Sequence, residues 1–376
     1  MIPFDFLPRT RVLFGAGASA RLGEIARDLG FTRVLLVADQ GLVAAGHVAE
    51  ARRRLESAGM AVEPFHGFDA NPDSAMASRG AAAARLFLPD GLVALGGGSS
   101  LDCAKAINFL FTNGGDMRDY AGYGKARRPL LPMIGVPTTA GTGSEAQSYA
   151  VIADAATKMK MACGDPGAAF KTVLLDPALT SSAPAETTAA AGMDALSHAV
   201  ETWVTVRRTP LSDMLSREAF RLVAGSYPRV LARPDDEEAR ASMLLGAHWA
   251  GAAIEQSMLG AAHACANPLT ARYGTVHGVA IALLLPTVVR WNARSVGTRY
   301  AELAEAAGRP RRPDALAALL DELAAAGGFP DRLSAAGVAE GDLPALALAA
   351  SKQWTGTFNP RPFDEAGALE IYTAAF

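Results

Sequence analysis

The chain has 376 residues, more than one ordinary hydrophobic core accommodates, and this length predicts two domains. Half of the residues are hydrophobic and 19% are charged, an ordinary globular balance, and the formal net charge is −3 without a basic block. This composition argues against nucleic acid and anionic membranes as partners.

The cysteines and the apolar runs indicate the compartment. Cys103, Cys163 and Cys265 are odd in number and lack Cys-x-x-Cys spacing, which favours a reducing compartment over a disulfide framework. The N-terminal segment lacks the charged start and apolar core of a secretion signal. The longest apolar run, VAIALLL before Pro286, is too short to span a bilayer. We therefore expect a cytoplasmic protein.

The first half of the chain alternates short apolar runs with amphipathic segments. Residues 33–39 predict a buried strand, and residues 48–59 predict a helix. Residues 91–100 predict a strand leading into a glycine turn, and the segment SLDCAKAINFLF that follows predicts a helix. Residues 130–145 predict another strand leading into a loop. This alternation is typical of a parallel sheet covered on both faces, which binds ligands at the carboxyl ends of its strands.

The GGGSSLD stretch follows one of these strands. Gly96, Gly97 and Gly98 allow a ligand to approach the backbone closely, and Ser99 and Ser100 add hydroxyls. The helix that follows directs unpaired amide groups at an anion. These features predict a pyrophosphate site, and the alternative is a plain strand-to-helix turn with a serine cap.

Asp39 ends the first predicted strand. An acidic side chain there can accept hydrogen bonds from a ribose 2′-hydroxyl and would repel a 2′-phosphate, which favours NAD over NADP. The alternative is a helix-capping or turn aspartate. The GAGASA stretch at residues 15–20 lacks the full dinucleotide fingerprint and predicts little by itself.

A second glycine-rich loop, PTTAGTGSE, occupies residues 137–145. Thr138, Thr139, Thr142 and Ser144 supply hydroxyls beside two glycines, a combination suited to wrapping a cofactor. Because strand-like segments flank it, we interpret it as a functional loop rather than as a polar surface loop.

The pattern changes after a proline-punctuated connection at residues 176–192. Residues 211–227, 237–259 and 315–327 predict helices, and period-two alternation is almost lost. The sequence therefore predicts an α/β domain over residues 1–184 and a helical domain over residues 185–376.

One stretch of the helical half, GMDALSHAVE, is suited to binding a cation. Asp194 and His198 stand four residues apart and would share one helix face, and His263 and His277 follow in GAAHACANPLTARYGTVHG. One carboxylate and three imidazoles favour iron(II) or zinc. The alternative is that the Asp-x-x-x-His pair is capped, solvated or part of the core.

Five motifs occur in order over nearly the whole chain: GGGSSLDCAK, PTTAGTGSE, GMDALSHAVE, the histidines at 263 and 277, and NPRP at residues 359–362. Together they resemble the iron-containing (group III) alcohol dehydrogenase family. The resemblance implies a Rossmann-like dinucleotide-binding domain followed by an all-α metal-binding domain, the architecture that dehydroquinate synthase also has. It also implies a homo-oligomer, with a dimer expected.

The same resemblance implies roles for individual residues. Asp194, His198, His263 and His277 would hold Fe²⁺, with Zn²⁺ as the alternative. The residues implied in NAD binding are Asp39, Asn71, Gly97, Gly98, Ser99, Asp102, Thr138, Thr139, Thr142, Val151, Lys160 and Leu179. The implied activity is that of an NAD-dependent alcohol dehydrogenase or aldehyde reductase (EC 1.1.1.-), transferring hydride between nicotinamide C4 and a metal-bound small alcohol or carbonyl compound.

The substrate side departs from the family pattern at one position. Many members carry a second histidine four residues after the third ligand, where this chain has Asn267, which can make a polar contact but cannot exchange a proton near neutral pH. The resemblance places Tyr149, Ile254 and Trp354 near the substrate pocket, and core packing is the alternative for each.

Three other functions stay open from the sequence. Arg272 and Arg361 leave open an acidic carbonyl substrate, as in maleylacetate reductases, although those enzymes lack the aspartate that Asp194 supplies. A dehydroquinate synthase-like lyase shares the architecture but differs around the metal. A catalytically silent NAD-binding protein is supported by Asn267 alone.

Overall fold

The computed structural model describes residues 3–68 and 71–376. Within them the chain forms two compact units. The α/β unit comprises residues 6–139 and 144–183, and the helical unit comprises residues 3–5, 140–143 and 184–376. The functional division into a nucleotide-binding domain over residues 1–184 and a metal-binding domain over residues 185–376 stays a prediction.

The α/β unit alternates strands and helices along most of its length. Its strands are β1 (Arg11–Phe14), β2 (Arg33–Val37), β3 (Ala61–Phe65), β4 (Gly91–Gly96), β5 (Gly122–Tyr123), β6 (Met133–Pro137), β7 (Tyr149–Ala153), β8 (Lys160–Gly164) and β9 (Thr172–Leu175). Its helices are α1 (Leu22–Asp28), α2 (Gln40–Ala44), α3 (His47–Ser57), α4 (Ser74–Phe87) and α5 (Gly98–Asn113). Each strand and helix predicted in the first half is present within a few residues of its expected bounds.

The main sheet has six strands in the order β1-β9-β6-β4-β2-β3, and every pairing in it is parallel. Every residue of β4 and β6 is buried, as expected for apolar strands with helices on both sides. Helices α1 and α3 pack on β2, β4 and β6 through one core, and α5 also contacts these three strands. The predicted parallel sheet is confirmed.

A second sheet of three strands, in the order β5-β8-β7, was not predicted. Strands β7 and β8 pair antiparallel, and β7 alternates partly exposed with buried residues because only one of its faces packs inward. Strands of two to five residues in a loop-rich segment give little periodicity from which to recognise a sheet.

The helical unit contains no strand among its described residues. Its helices are α6 (Ala185–Val204), α7 (Pro210–Ala232), α8 (Glu237–Ser257), α9 (Ala261–Tyr273), α10 (His277–Ala306), α11 (Pro313–Ala326), α12 (Leu343–Ser351) and α13 (Glu365–Ala375). The three helices predicted from the sequence correspond to α7, α8 and α11. The predicted fold class, a parallel α/β unit followed by an all-α unit, is confirmed.

One hydrophobic core joins the helices of this unit, and α6 lies within it, buried along most of its length. Helix α10 is interrupted at Val296, where the backbone leaves the helical conformation. By length and composition alone α10 could cross a membrane, but 56% of its most apolar window is buried within the protein. It therefore has the character of a core helix.

Candidate active site

Four side chains from three helices of the helical unit converge on one point. Asp194 and His198 stand one helical turn apart on α6, His263 lies in the first turn of α9, and His277 begins α10. Oδ1 of Asp194 lies 3.3, 3.5 and 3.6 Å from the Nε2 atoms of these histidines in chain order. Nε2 of His198 and Nε2 of His263 are 3.2 Å apart. The structure thus brings together the four residues predicted to hold a metal.

This cluster is mostly buried. Asp194, His198 and His263 are at most 6% exposed, whereas the His277 side chain is 20% exposed. Burial raises the pKa of Asp194, but the three imidazoles outweigh it and hold the pKa of this carboxyl well below its ordinary value. Burial lowers the pKa of His198. For His263 the charges of Glu201 and Asp194 outweigh burial and raise the pKa to about 9.

The donor atoms of this cluster fit a divalent cation. Oδ1 of Asp194 is buried and has no hydrogen-bond partner among the described residues. Three imidazole nitrogens lie around it instead. Ligands about 2.0–2.1 Å from a tetrahedral ion lie roughly 3.4 Å from one another. The observed separations of 3.2–3.6 Å agree with that spacing. Nitrogen and carboxylate ligands suit iron(II) or zinc.

His277 owes its position to a close approach of two helices. A Cβ atom at Gly278 would lie 2.1 Å from the carbonyl oxygen of Ala190, so only glycine lets α10 begin directly against α6. Gly278 was not singled out from the sequence. A glycine immediately after a candidate ligand is a weak signal by itself.

Glu201 is a buried residue that contacts the cluster and was not recognised from the sequence. Its carboxylate contacts Nδ1 of His263 and accepts a hydrogen bond from the amide of Ala262 at 2.8 Å. Glu201 stands three residues after His198 and seven after Asp194, a spacing that places all three on one face of α6. That spacing was a readable signal within GMDALSHAVE.

Half of the residues predicted to bind the dinucleotide lie at one edge of the parallel sheet. Three neighbouring strands, β2, β4 and β6, end there. The predicted residues that follow these strands are Asp39, Gly97, Gly98, Ser99, Thr138 and Thr139. A Cβ atom at Gly97 would lie 3.2 Å from Oγ1 of Thr139, so glycine allows the two loops to approach each other. The amide groups of the first turn of α5 lie at this edge, where parallel sheets bind ligands.

Asp39 has the capping role that was its alternative interpretation. Its side chain accepts a hydrogen bond from the amide of Leu42 at 3.2 Å, in the first turn of α2, and another from Ser100 Oγ at 3.1 Å. Capping does not conflict with ribose binding, since a carboxylate has several acceptor positions. Its contact with a ribose stays a prediction.

Lys105 is a second functional candidate that the sequence did not reveal. Its ammonium group is fully buried and donates hydrogen bonds to the carbonyl oxygens of Ser144, Gln147 and Tyr149 at 2.7–2.9 Å. It also lies 3.7 Å from the carboxylate of Asp102. Lys105 therefore holds α5 against the end of the second glycine-rich loop and the segment that follows it. The sequence signal for this role was the spacing of three residues between Asp102 and Lys105, which makes the two side chains neighbours on a helix.

Three of the predicted cofactor residues lie together, Asp102 on α5 and the other two on neighbouring strands. Asp102 accepts a hydrogen bond from Ser144 Oγ at 2.5 Å, and the Val151 amide and the Lys160 charge also act on its carboxylate. Burial raises the pKa of Asp102 despite the opposing charge of Lys105. The structure thus brings Asp102, Val151 and Lys160 to one side of the α/β unit.

The remaining predicted cofactor residues are more scattered. Asn71 has a positive φ of 57°, and its amide donates to Ser99 Oγ at 3.2 Å. Leu179 lies in the turn after β9, against the core beneath α1 and α3. Thr142 belongs to residues 140–143, which group with the helical unit. Contacts of these residues with NAD stay predictions.

The residues predicted to line the substrate pocket lie in both units. Tyr149 begins β7 beside Tyr123, with ring centroids 5.4 Å apart. Ile254 is buried on α8, whereas Trp354 is 42% exposed. Asn267 makes a polar contact, its side-chain amide donating to Gln353 Oε1 at 3.1 Å. The pocket itself stays a prediction.

Family models for iron-containing alcohol dehydrogenases match both halves of the chain. The model of the iron-containing alcohol dehydrogenase matches residues 8–177, and the model of the C-terminal region of the Fe-containing alcohol dehydrogenase family matches residues 188–376. The chain belongs to the iron-containing alcohol dehydrogenase family. The resemblance seen in the sequence motifs is confirmed.

Relatives cover the whole length of this iron-containing alcohol dehydrogenase family member. The 1,3-propanediol dehydrogenase of Citrobacter freundii is 35% identical over 99% of each chain. A crystal structure of a 1,3-propanediol oxidoreductase superposes with a TM-score of 0.96 at 34% identity over all of both chains. The sulfoacetaldehyde reductase of Bifidobacterium kashiwanohense, in complex with NAD⁺, superposes with a TM-score of 0.90 at 29% identity, over 100% of this chain and 99% of that one.

Proposed function

We propose that this protein is an NAD-linked, iron(II)-dependent alcohol dehydrogenase that interconverts small alcohols and aldehydes. The observation that carries the proposal is the convergence of three imidazole nitrogens on Asp194 Oδ1 at 3.3–3.6 Å, in a chain of this family. The proposed ligands are Asp194, His198, His263 and His277, and zinc is the alternative ion. A bound divalent ion supplies Lewis acidity, which lowers the pKa of an alcohol and polarises a carbonyl group.

The protein side chains supply charge and burial. Asp194 stays ionised at neutral pH because its pKa lies well below its ordinary value, so the cluster keeps one negative charge to balance a cation. Its buried surroundings exclude water, which strengthens electrostatic interactions there. Metal binding requires neutral imidazoles, so a divalent ion would displace a proton from His263, and this set would then leave the ion a net positive charge.

The carboxyl edge of the parallel sheet is the proposed NAD site. The α5 amides after Gly97 are suited to the pyrophosphate, and the carboxylate of Asp39 is suited to the adenosine ribose. Support comes from the relative of B. kashiwanohense, whose structure was determined with NAD⁺. A negative Asp39 would disfavour the 2′-phosphate of NADP.

The two arginines that left an acidic substrate open already have carboxylate partners. Arg272 donates to the carboxylate of Asp342 at 2.6 and 2.9 Å. Arg361 pairs with Glu370 at 3.0 Å and stacks on the ring of Trp291 at 3.7 Å. Because both guanidinium groups already have anionic partners, neither is free to clamp a substrate carboxylate.

We also propose a cytoplasmic location and a homodimer. The three cysteines are buried and free, which suits a reducing compartment. The dimer is inferred from the family resemblance.

Metal reconstitution followed by turnover tests the proposal. Metal-free protein is loaded anaerobically with Fe²⁺ or Zn²⁺, and NADH oxidation is followed with aldehydes, ketones and a carboxylated aldehyde. We expect turnover of small uncharged aldehydes in proportion to bound metal. Asp194→Asn should lose both metal and turnover, whereas Asp235→Asn, at an exposed carboxylate, should behave like the wild type. Full metal and full activity in Asp194→Asn would show that the ligand assignment is wrong.

A further inference from the structure

The carboxylate of Glu201 holds the first turn of α9 at two points. One oxygen accepts the amide N–H of Ala262 at 2.8 Å, and the other contacts Nδ1 of His263. The N-cap of α9 is Gly260, which has no side chain to accept these donors. A Cβ atom at Gly260 would lie 3.1 Å from the Glu201 carboxylate, so glycine leaves room for this contact. A carboxylate at a helix N-terminus is also favoured by the helix dipole.

Asn359, of the NPRP motif, also holds this end of α9. Its Oδ1 accepts hydrogen bonds from the amide of Ala261 at 3.2 Å and from the side chain of Asn292 at 3.0 Å. Its amide nitrogen donates to Oδ1 of Asn292 at 2.9 Å and to the carbonyl oxygen of Arg361 at 2.7 Å. Asn292 lies on α10, the helix that begins with His277. One buried network thus connects the three helices that carry the four clustered side chains.

The contact with Glu201 determines which nitrogen of His263 faces the cluster. An ionised carboxylate only accepts hydrogen bonds, so Nδ1 of His263 must carry a hydrogen. Nε2 is then the ring nitrogen available as a ligand, and it lies 3.5 Å from Asp194 and 3.2 Å from the Nε2 atom of His198. Histidine ligands of metals generally have such a partner on their other nitrogen, which fixes tautomer and ring orientation.

We propose that Glu201 is a positioning residue for metal binding: it fixes His263 with Nδ1 protonated and Nε2 directed at the ion, while Asn359 secures the helix that carries this histidine. This inference rests on the proposed function, because it takes the four clustered side chains as the ligands. A purely structural role in capping α9 would instead affect the stability of the protein without affecting its affinity for metal.

Metal titration separates these two roles. Metal-free wild type, Glu201→Gln and Glu238→Gln are titrated anaerobically with Zn²⁺ and with Fe²⁺, and thermal unfolding of each metal-free protein is followed in parallel. Glutamine can still accept the Ala262 hydrogen bond, so we expect a folded protein whose metal Kd is about 10- to 100-fold weaker. Glu238 is an exposed carboxylate of the same unit, and its variant should match the wild type. An unchanged Kd in Glu201→Gln, with or without a lower melting temperature, would overturn the proposal.

A second measurement does not depend on any Glu201 variant folding. In zinc-loaded wild type with ¹⁵N-labelled histidine, NMR should show His263, assigned by loss of its signals in His263→Gln, with Nδ1 protonated and Nε2 bound. Ligation through Nδ1 would contradict the inference.

Adding Asp194→Asn to the metal titration separates a failure of the proposed function from a failure of the positioning role. If that variant binds metal like the wild type, the proposed function fails; if it loses metal while Glu201→Gln does not, only the positioning role fails.

Discussion

The buried ammonium group of Lys105 donates a hydrogen bond to the carbonyl oxygen of Tyr149 at 2.7 Å. The same group binds the carbonyl oxygens of Ser144 and Gln147, and it lies 3.7 Å from the Asp102 carboxylate. One side chain of α5 therefore satisfies the backbone of a loop and offsets a carboxylate shielded from water.

Lys105→Met should destabilise the α/β unit strongly. Methionine fills a similar volume but leaves three carbonyl oxygens and Asp102 without their cation, and breaking a buried pair in this way costs about 3–5 kcal/mol. Urea unfolding at pH 7 measures the loss, and weaker NADH binding should accompany it. Lys125→Met, at an exposed lysine of the same unit, is the matched control. Equal unfolding midpoints for Lys105→Met and wild type would contradict this prediction.

Gly278→Ala should displace His277 and weaken metal binding. The added Cβ atom would lie 2.1 Å from the carbonyl oxygen of Ala190, so the first turn of α10 has to move away from α6. Gly225→Ala, within α7, meets no atom within 4 Å and should stabilise the protein by up to about 1 kcal/mol. Bound metal per chain and melting temperature are measured for both variants. Full metal content in Gly278→Ala would disprove the predicted displacement.

Asp39→Gly should relax the preference for NADH over NADPH. Glycine removes the charge that repels a 2′-phosphate, and as a helix N-cap it costs only a few tenths of a kcal/mol. We expect the ratio of kcat/KM for the two cofactors to fall at least about tenfold, which corresponds to about 1.4 kcal/mol. Asp39→Asn, which keeps an acceptor for the Leu42 amide, separates charge from capping. An unchanged ratio in both variants would remove the argument for cofactor choice.

The stability that Asp236 contributes should disappear in acid. Asp236 caps α8 through the amide of Ala239 at 3.0 Å and pairs with Arg229 and Arg233, and these contacts lower its pKa below the ordinary 3.8. Because the folded-state pKa is the lower one, the contribution is complete above the unfolded-state pKa and is lost as pH falls through the folded-state value. The difference in urea midpoint between wild type and Asp236→Asn should therefore shrink from pH 6 to pH 3. A constant difference would contradict this assignment.

The strands and helices that the sequence predicted are those whose own residues carry a recognisable pattern. Apolar runs such as residues 91–96 and helical periodicity identify strands and helices by themselves. Asp194 and His198 were recognisable as a pair because four residues place them on one helix face. The joint order of five motifs then identified the family.

The roles that the sequence did not reveal depend on distant contacts. Glu201 meets Ala262 across 61 positions of the chain, and Asn359 meets Ala261 across 98. A lysine in a helix is ordinarily exposed, so the sequence did not predict that Lys105 is buried. The loop that folds over Lys105 accounts for its burial. Such contacts leave no periodicity in the sequence, so the distant partners of Glu201, Asn359 and Lys105 became visible only in the structure.

The four clustered side chains come from three separate helices, and with a bound ion this arrangement would also affect how long the protein survives. One ion bound by all of them would tie α6, α9 and α10 together, as a cross-link does, and an ion that binds only the folded state opposes unfolding. Iron-starved cells would then lose this enzyme through faster proteolysis as well as through lost turnover. Its abundance would follow the supply of the metal.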